Sequence, residues 1–546
     1  MSTTSPKPFK AEGARQLSPK ETMQRLSALS CTLPKDNKPS CSGQVNVGIF
    51  FDGTGNNMKL DFDALPPSER KHSNVVKLFQ CMPTSRSDRI FSYYIPGVGT
   101  PFRDIGDTGG KRGSAMAAGG EQRICWALLD LINAPYFYVH GTELIDKARA
   151  KTISSNMSDS TNPGAMRRVA LNAWQDNLKT ALKDKKPRVE QINVSVFGFS
   201  RGAAQARAFV NWLFEVCKQE DGGWTFAGLP IRVQFLGIFD TVASVGLANL
   251  MDGGTLAGHQ SWADNTMEIH PAVEQCVHYV AGNEVRACFP LDSVRVKSKY
   301  PGNAFEVMYP GSHSDVGGGY RPGALGISPS PELSMSLITG ANMYKAARLA
   351  GVPLLPWTEL DPDVQKSLTP NDETVANFNA YIKDAAVTNG PVESMHRQHM
   401  AHYFSYRFKY RGQFASLAPF STASATKNKD DDYSDQVALQ MTQTALLKRL
   451  SLGMVNPAAT DWEPKTVAKL HKDFKKASGL VANDQERVTY EIAEHINTSA
   501  LTPAIEKFCG NYIHDSMAGF INFGMDEYSK NGLGLAKFRT VFKGND

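Results

Sequence analysis

Apolar runs that stop at glycine-rich turns alternate with helical periodicity over the first part of the chain. "VNVGIFFDGTGNN" has the pattern of a strand buried on both faces that ends in a Gly/Asn turn. "DRIFSYYIPGVGT" predicts a second strand. The glycine-rich "DIGDTGGKRGSAMAAGG" precedes the helical pattern "EQRICWALLDLI", and residues 163 to 184 read as an amphipathic helix. Strand "QINVSVFGF", a helix from 201 to about 218, strand "IRVQFLGIFD" and strand "NAFEVMYPG" follow. Strands alternating with helices predict an α/β fold with a mainly parallel sheet. Beyond about residue 330 the strand pattern ends, and segments 332–350, 434–452, 464–478, 484–497 and 502–515 read as helices. The expected division is a polar tail over 1–43 with a short helix near 19–29, an α/β domain over 44–330 with an insertion at about 100–185, and a mostly helical region over 331–546.

Composition changes this picture little. With 546 residues, the chain needs more than one ordinary core or one large decorated domain. Apolar residues make up 41% and charged ones 21%, the balance of a soluble globular protein. A net charge of +5 over this length gives no case for nucleic acid. No run of apolar residues is long enough to span a bilayer, and the polar N-terminus does not read as a secretory signal, so synthesis in the cytoplasm is expected. Eight cysteines without a C-x-x-C pair read as reduced thiols, with Cys31 and Cys41 close enough for a local bridge.

The candidate chemistry centres on "VFGFSRGAAQARAF". Gly198 to Gly202 spell G-x-S-x-G between a predicted strand and a predicted helix. A sharp turn there strains the serine, and glycines on both sides leave the Ser200 hydroxyl accessible as a nucleophile; the plainer role is a helix N-cap. A serine nucleophile needs a base and an orienting acid. Asp240 ends the strand "VQFLGIFD", at the sheet edge where parallel-sheet active sites form; its plainer role is to cap the next turn, and Asp252 and Asp292 are weaker candidates. His313, in "MYPGSHSDVGGGY", is the expected base, with His514 second. Oxyanion donors are expected at the backbone N–H of Arg201 and at Gly53 or Thr54 in "FFDGTGNN". Asp52 is expected to support that turn or His313. His396, His399 and His402 resemble metal spacing, but no carboxylate or cysteine joins them, and no metal or other cofactor is expected.

Together, "FFDGTGNN", "VFGFSRGAAQARAF", "FLGIFDTVASVG", "HYVAGNEVRACFPL" and "PGSHSDVGGGY" resemble the blocks of the α/β-hydrolase domain of bacterial type VI secretion lipase effectors, first subfamily. The likeness covers roughly residues 44 to 325. It implies a phospholipase A acting on membrane phospholipids of rival bacteria, at the periplasmic face of the target membrane. It also implies delivery on a secretion spike protein and a cognate immunity protein in the producer. The family's catalytic serine, histidine and aspartate fall on Ser200, His313 and Asp240. "NEVRACFP" departs from the family wording, and Glu284 is expected to pair with Arg286.

Two segments carry lid or membrane-anchor patterns, 437–454 and 516–525, against the plainer role of core helices. Other functions remain open from sequence: a carboxylesterase or acyltransferase on soluble esters, a non-catalytic carrier with a degenerate hydrolase fold, and a phosphate- or nucleotide-binding module. The last is weakened because neither "GDTGGKRG" nor "FDGTGNN" completes a phosphate-loop or dinucleotide pattern.

Overall fold

The computed structural model describes residues 2–10, 12, 16–30, 41–110, 119–159, 162–220, 222–244, 259, 261–286, 288–427, 432–519 and 538–542. The chain runs through α1 (Pro19–Ser30), β1 (Ser42–Phe51), α2 (Asn74–Gln80) and β2 (Ile90–Ile95), then α3 (Gly120–His140), α4 (Lys147–Ser158) and α5 (Pro163–Leu182). It returns to the sheet as β3 (Arg188–Phe199), followed by α6 (Arg201–Phe214), β4 (Lys218–Glu220), β5 (Gly223–Phe226), β6 (Leu229–Phe239), β7 (Cys276–Ala281), β8 (Leu291–Asp292), β9 (Ala304–Tyr309) and the short α7 (His313–Gly317). The C-terminal part holds α8 (Ser336–Leu349), α9 (Pro362–Ser367), α10 (Asp372–Ala385), α11 (Val392–Lys409), α12 (Asp435–Ser451), α13 (Pro464–Ala477), α14 (Asp484–His495), α15 (Pro503–Asn511) and β10 (Val541–Phe542).

Strands β2, β1, β3, β6, β7 and β9 lie side by side in that order, and every pairing among them is parallel. The β4–β5 hairpin adds antiparallel to the start of β6. This is the α/β architecture expected from the alternation. Both faces of the sheet are covered, which is why β3 and β6 read as near-continuous apolar runs. Alternate residues of β1 serve two cores. Val47, Ile49 and Phe51 face α3 and α6, whereas Phe50 packs with Phe197 and Phe235 toward α2 and α8. The second core continues without a break into the C-terminal helices through Phe378, Tyr381, Tyr403, Phe404 and Phe508.

The polar N-terminal stretch is held against the sheet. Thr3 and Thr4 bridge to Gly390 and Val307, Thr3 Oγ1 donates to Glu306 at 2.7 Å, and Phe9 is buried. Segment 437–454 falls mainly in α12, whose Ala438, Leu439, Leu446 and Leu450 are buried while its Val437, and Met454 just after it, are exposed. In the second lid candidate, Met517 and Ala518 are buried, and residues 520–525 lie outside the described residues. Cys31 and Asp252 also lie outside them.

Candidate active site

The join between β3 and α6 is Ser200, which takes φ 58° and ψ −127°. Such a backbone costs on the order of 1–3 kcal/mol and persists only where its surroundings hold it. Here the Ser200 N–H donates to the Phe239 carbonyl at 3.0 Å, and its own carbonyl accepts from Val242 at 3.2 Å. The flanking glycines are required by contact. A Cβ on Gly198 would stand 2.5 Å from the Gly202 carbonyl, and one on Gly202 would stand 2.3 Å from that of Asp52. The hydroxyl of Ser200 does not cap the helix, and among the described residues it has no hydrogen-bond partner. The plainer N-cap role is therefore not what its side chain performs.

Asp240 follows the last residue of β6. Because Phe239 pairs with Phe199 across the sheet, Asp240 emerges beside Ser200. Its carboxylate does not cap the next turn. It meets His313 Nδ1 at 2.5 Å, the Ala281 N–H at 2.9 Å, and both terminal nitrogens of Arg539 at 2.8 and 3.0 Å. Burial alone would raise its pKa, but Arg539 and His313 outweigh that and hold it far below the usual carboxylate range.

His313 opens α7, directly after the turn that leaves β9. Ser312 and Asp315 form a capping box around that turn, and the His313 N–H donates to Glu284 at 3.1 Å. Its ring lies 4.6 Å from the ring of Phe199 and 5.1 Å from that of Phe289, centroid to centroid. Gly317 admits the Phe199 ring, because a Cβ there would stand 2.0 Å from it. Burial lowers the imidazole's pKa against the opposing pull of Asp240, with Arg286 adding to the lowering. A neutral ring that donates through Nδ1–H to Asp240 keeps Nε2 as a proton acceptor.

The turn after β1 sits against α6. Asp52 accepts from Ser73 Oγ at 2.5 Å, Tyr94 OH at 2.6 Å and the Gly53 N–H at 2.8 Å, and burial raises its pKa to about 6. The expectation for Gly53 is corrected here. Its N–H is already engaged by the Asp52 carboxylate, so it does not offer a donor to a ligand. Thr54 lies beside the helix N-terminus, with its Oγ1 accepting from Arg201 Nε at 2.5 Å. As the first helical residue, Arg201 has a backbone N–H without an intrahelical acceptor. The Asp52 side chain supports the turn, not His313.

The other candidates have other partners. Asp292 is bonded to His259 and to the Ala243 N–H. His514 pairs with Asp315 at 2.5 Å and stacks on Tyr320. His396 and His402 bond to the carbonyls of Glu284 and Ala385, and His399 bonds to the Tyr381 hydroxyl. Glu284 does pair with Arg286, at 2.8 and 2.9 Å. Sequence reasoning missed Arg539 and Phe289, and "KFRTVF" carries no local signal that would have placed an arginine on Asp240.

A profile described as "T6SS, Phospholipase effector Tle1-like, catalytic domain" matches residues 46–222 and 217–346. The chain belongs to this family. Its matched region contains β1 to α7 and hence Ser200, Asp240 and His313. Among solved structures, "Crystal structure of an uncharacterized protein from Pseudomonas aeruginosa" is similar over 100% of this chain and 85% of that one, with 26% identity and a TM-score of 0.77. A second, "Structure of the Tle1 effector bound to the VgrG spike from the Type 6 secretion system", matches 54% of this chain and 56% of that one at 23% identity, with a TM-score of 0.28. None of the curated proteins compared matches this chain. Membership makes this Tle1-like chain a type VI secretion phospholipase effector. No helix among its described residues is long and apolar enough to cross a membrane.

Proposed function

We propose that this effector is a phospholipase A that cleaves glycerophospholipid acyl esters through Ser200, His313 and Asp240. His313 Nε2 takes the Ser200 proton as Oγ attacks the ester carbonyl, and Asp240 orients the ring and stabilises the imidazolium. The N–H groups of Arg201 and Thr54 face the developing oxyanion. His313 then protonates the departing lysophospholipid, and water, deprotonated by the same ring, releases the fatty acid from the acyl-enzyme. The observation that carries this reading is the 2.5 Å contact between His313 Nδ1 and Asp240, formed beside a serine held in a strained strand-to-helix turn.

On the same reading, a secretion spike protein carries the effector out of the cell. It acts on membrane phospholipid at the periplasmic face of the target, and the producer keeps an immunity protein. The test is lipid mass spectrometry after incubation with mixed bacterial phospholipids, wild type beside Ser200→Ala. Fatty acid and lysophospholipid are expected only from wild type, with the two proteins alike by circular dichroism. Undiminished release from the alanine variant would sink the proposal.

A further inference from the structure

The last described stretch, Phe538 to Phe542, lies against the site. β10 pairs in parallel with β8, the Leu291 N–H donating to the Thr540 carbonyl at 2.9 Å and the Ser293 N–H to that of Phe542 at 3.2 Å. The ring of Phe542 packs on His259, 4.7 Å between centroids. This pairing fixes the residue before Thr540. Arg539 is only 4% exposed, its Nε donates to the Phe289 carbonyl, and its two terminal nitrogens grip the two oxygens of Asp240. The fork leaves the carboxylate plane no freedom to rotate. It also places a positive charge beside a buried aspartate that is already bonded to an imidazole.

We propose that Arg539 is a positioning residue: it locks the Asp240 carboxylate and shares its charge, and thereby sets the proton affinity of His313. The inference rests on the Ser200–His313–Asp240 reading above. The charged and titratable groups around His313 come from several elements. Asp240 follows β6, Glu284 and Arg286 follow β7, Arg539 precedes β10, and His396 approaches Glu284 from α11. Of these, Arg539 alone binds Asp240 through a guanidinium. Removing it exposes the imidazole to the undivided charge of Asp240, which favours the protonated ring. It also frees the carboxylate to turn.

The test follows the pH dependence of fluorophosphonate labelling at Ser200 in wild type, Arg539→Gln and Arg539→Lys. In the glutamine variant the acid limb of the labelling rate is expected to move up by about one pH unit or more, and the plateau to fall about tenfold. Lysine restores charge but not the fork, so the limb is expected to return toward wild type while the plateau stays low. If the glutamine variant does not fold, the lysine variant carries the test on its own plateau. A glutamine variant with wild-type limb and plateau, or one altered only in thermal stability, overturns the inference, as does a lysine variant with a full plateau. A wild type that does not label at Ser200 removes the triad reading, and this inference with it; a labelling wild type with indifferent Arg539 variants removes the inference alone.

Discussion

Glu284 is fully buried and holds together groups that lie far apart in sequence. Its carboxylate takes three bonds from Arg286, through the backbone N–H, Nε and a terminal nitrogen, one from the His313 N–H and one from Ser516 Oγ. Burial works against its ionisation, but Arg286 prevails and draws its pKa down to about 2 from an ordinary 4.5. A folded-state pKa below the unfolded one contributes stability above about pH 4.5 that is lost as pH falls toward 2, here on the order of 3 kcal/mol. Glu284→Gln leaves the Arg286 guanidinium buried without its counter-charge, an expected cost of about 3–5 kcal/mol at pH 7. Urea unfolding of both proteins at pH 7 and pH 4 checks this, and the gap should narrow in acid. A gap that is the same at both pH values counts against the assignment. Residues at strand ends were the legible ones. Ser200, Asp240 and His313 each follow an apolar run and sit in or near glycine, so local pattern alone fixes where each emerges from the sheet. Arg539 and the Ser516 hydroxyl meet the site only because the C-terminal part folds back onto it, and no spacing along the chain encodes that.

At the scale of elements, the sequence pattern held best where one face is buried and one is wet. The amphipathic α5 was expected over 163–184 and runs over Pro163–Leu182, and α13 was expected over 464–478 and runs over Pro464–Ala477. Helix α11 was not anticipated. Its buried Met395, His396, His399, Met400, Tyr403, Phe404 and Arg407 share one face, but two histidines and an arginine among them break up the apolar stripe, and the histidines suggested ligand spacing instead. The helix after Ser200 ends at Phe214, short of the expected 218, because Lys218 opens the β4–β5 hairpin. A tight joint lies between α6 and β1. Gly202→Ala would put a methyl group 2.3 Å from the Asp52 carbonyl and 2.4 Å from that of Phe51, both backbone atoms that cannot yield. Overpacking of this kind costs about 1–3 kcal/mol. It would also push the helix N-terminus, with the Arg201 amide and Ser200, out of line. Thermal melts should show the loss of stability, and fluorophosphonate labelling should fall by more than tenfold, a loss the stability change alone does not produce in a folded protein. Unaltered labelling would mean that the joint tolerates the shift.

Across the whole molecule, most large apolar side chains are consumed by the two cores on either side of the sheet, and the exceptions are therefore informative. Four of them gather on α13 and the turn after it: Leu470 is 50% exposed, Phe474 52%, Leu480 53% and Val481 83%. Leu470 and Phe474 are one helical turn apart and share a face, while Val467 and Ala468 face inward. Exposed Lys465, Lys469, Lys472 and Lys476 stand on the same helix. At 100° per residue these lysines fall on the opposite side of the helix from Leu470 and Phe474, and an apolar strip with lysines on the far, polar face is the composition of a helix that lies on a bilayer surface. On the lipid substrate proposed above, each half-covered side chain of this strip contributes on the order of 1 kcal/mol of membrane affinity when it is fully buried. The proposed catalytic groups lie elsewhere, at the strand ends, so binding and chemistry should separate. Leu470→Ser with Phe474→Ser is expected to lower sedimentation with phosphatidylglycerol-rich vesicles, and hydrolysis of those vesicles, at least tenfold. The rate on a short-chain monomeric ester should stay at the wild-type value. Equal losses on vesicles and on the monomeric ester would instead point to damage transmitted through the second core, and full vesicle activity would leave α13 without a membrane role.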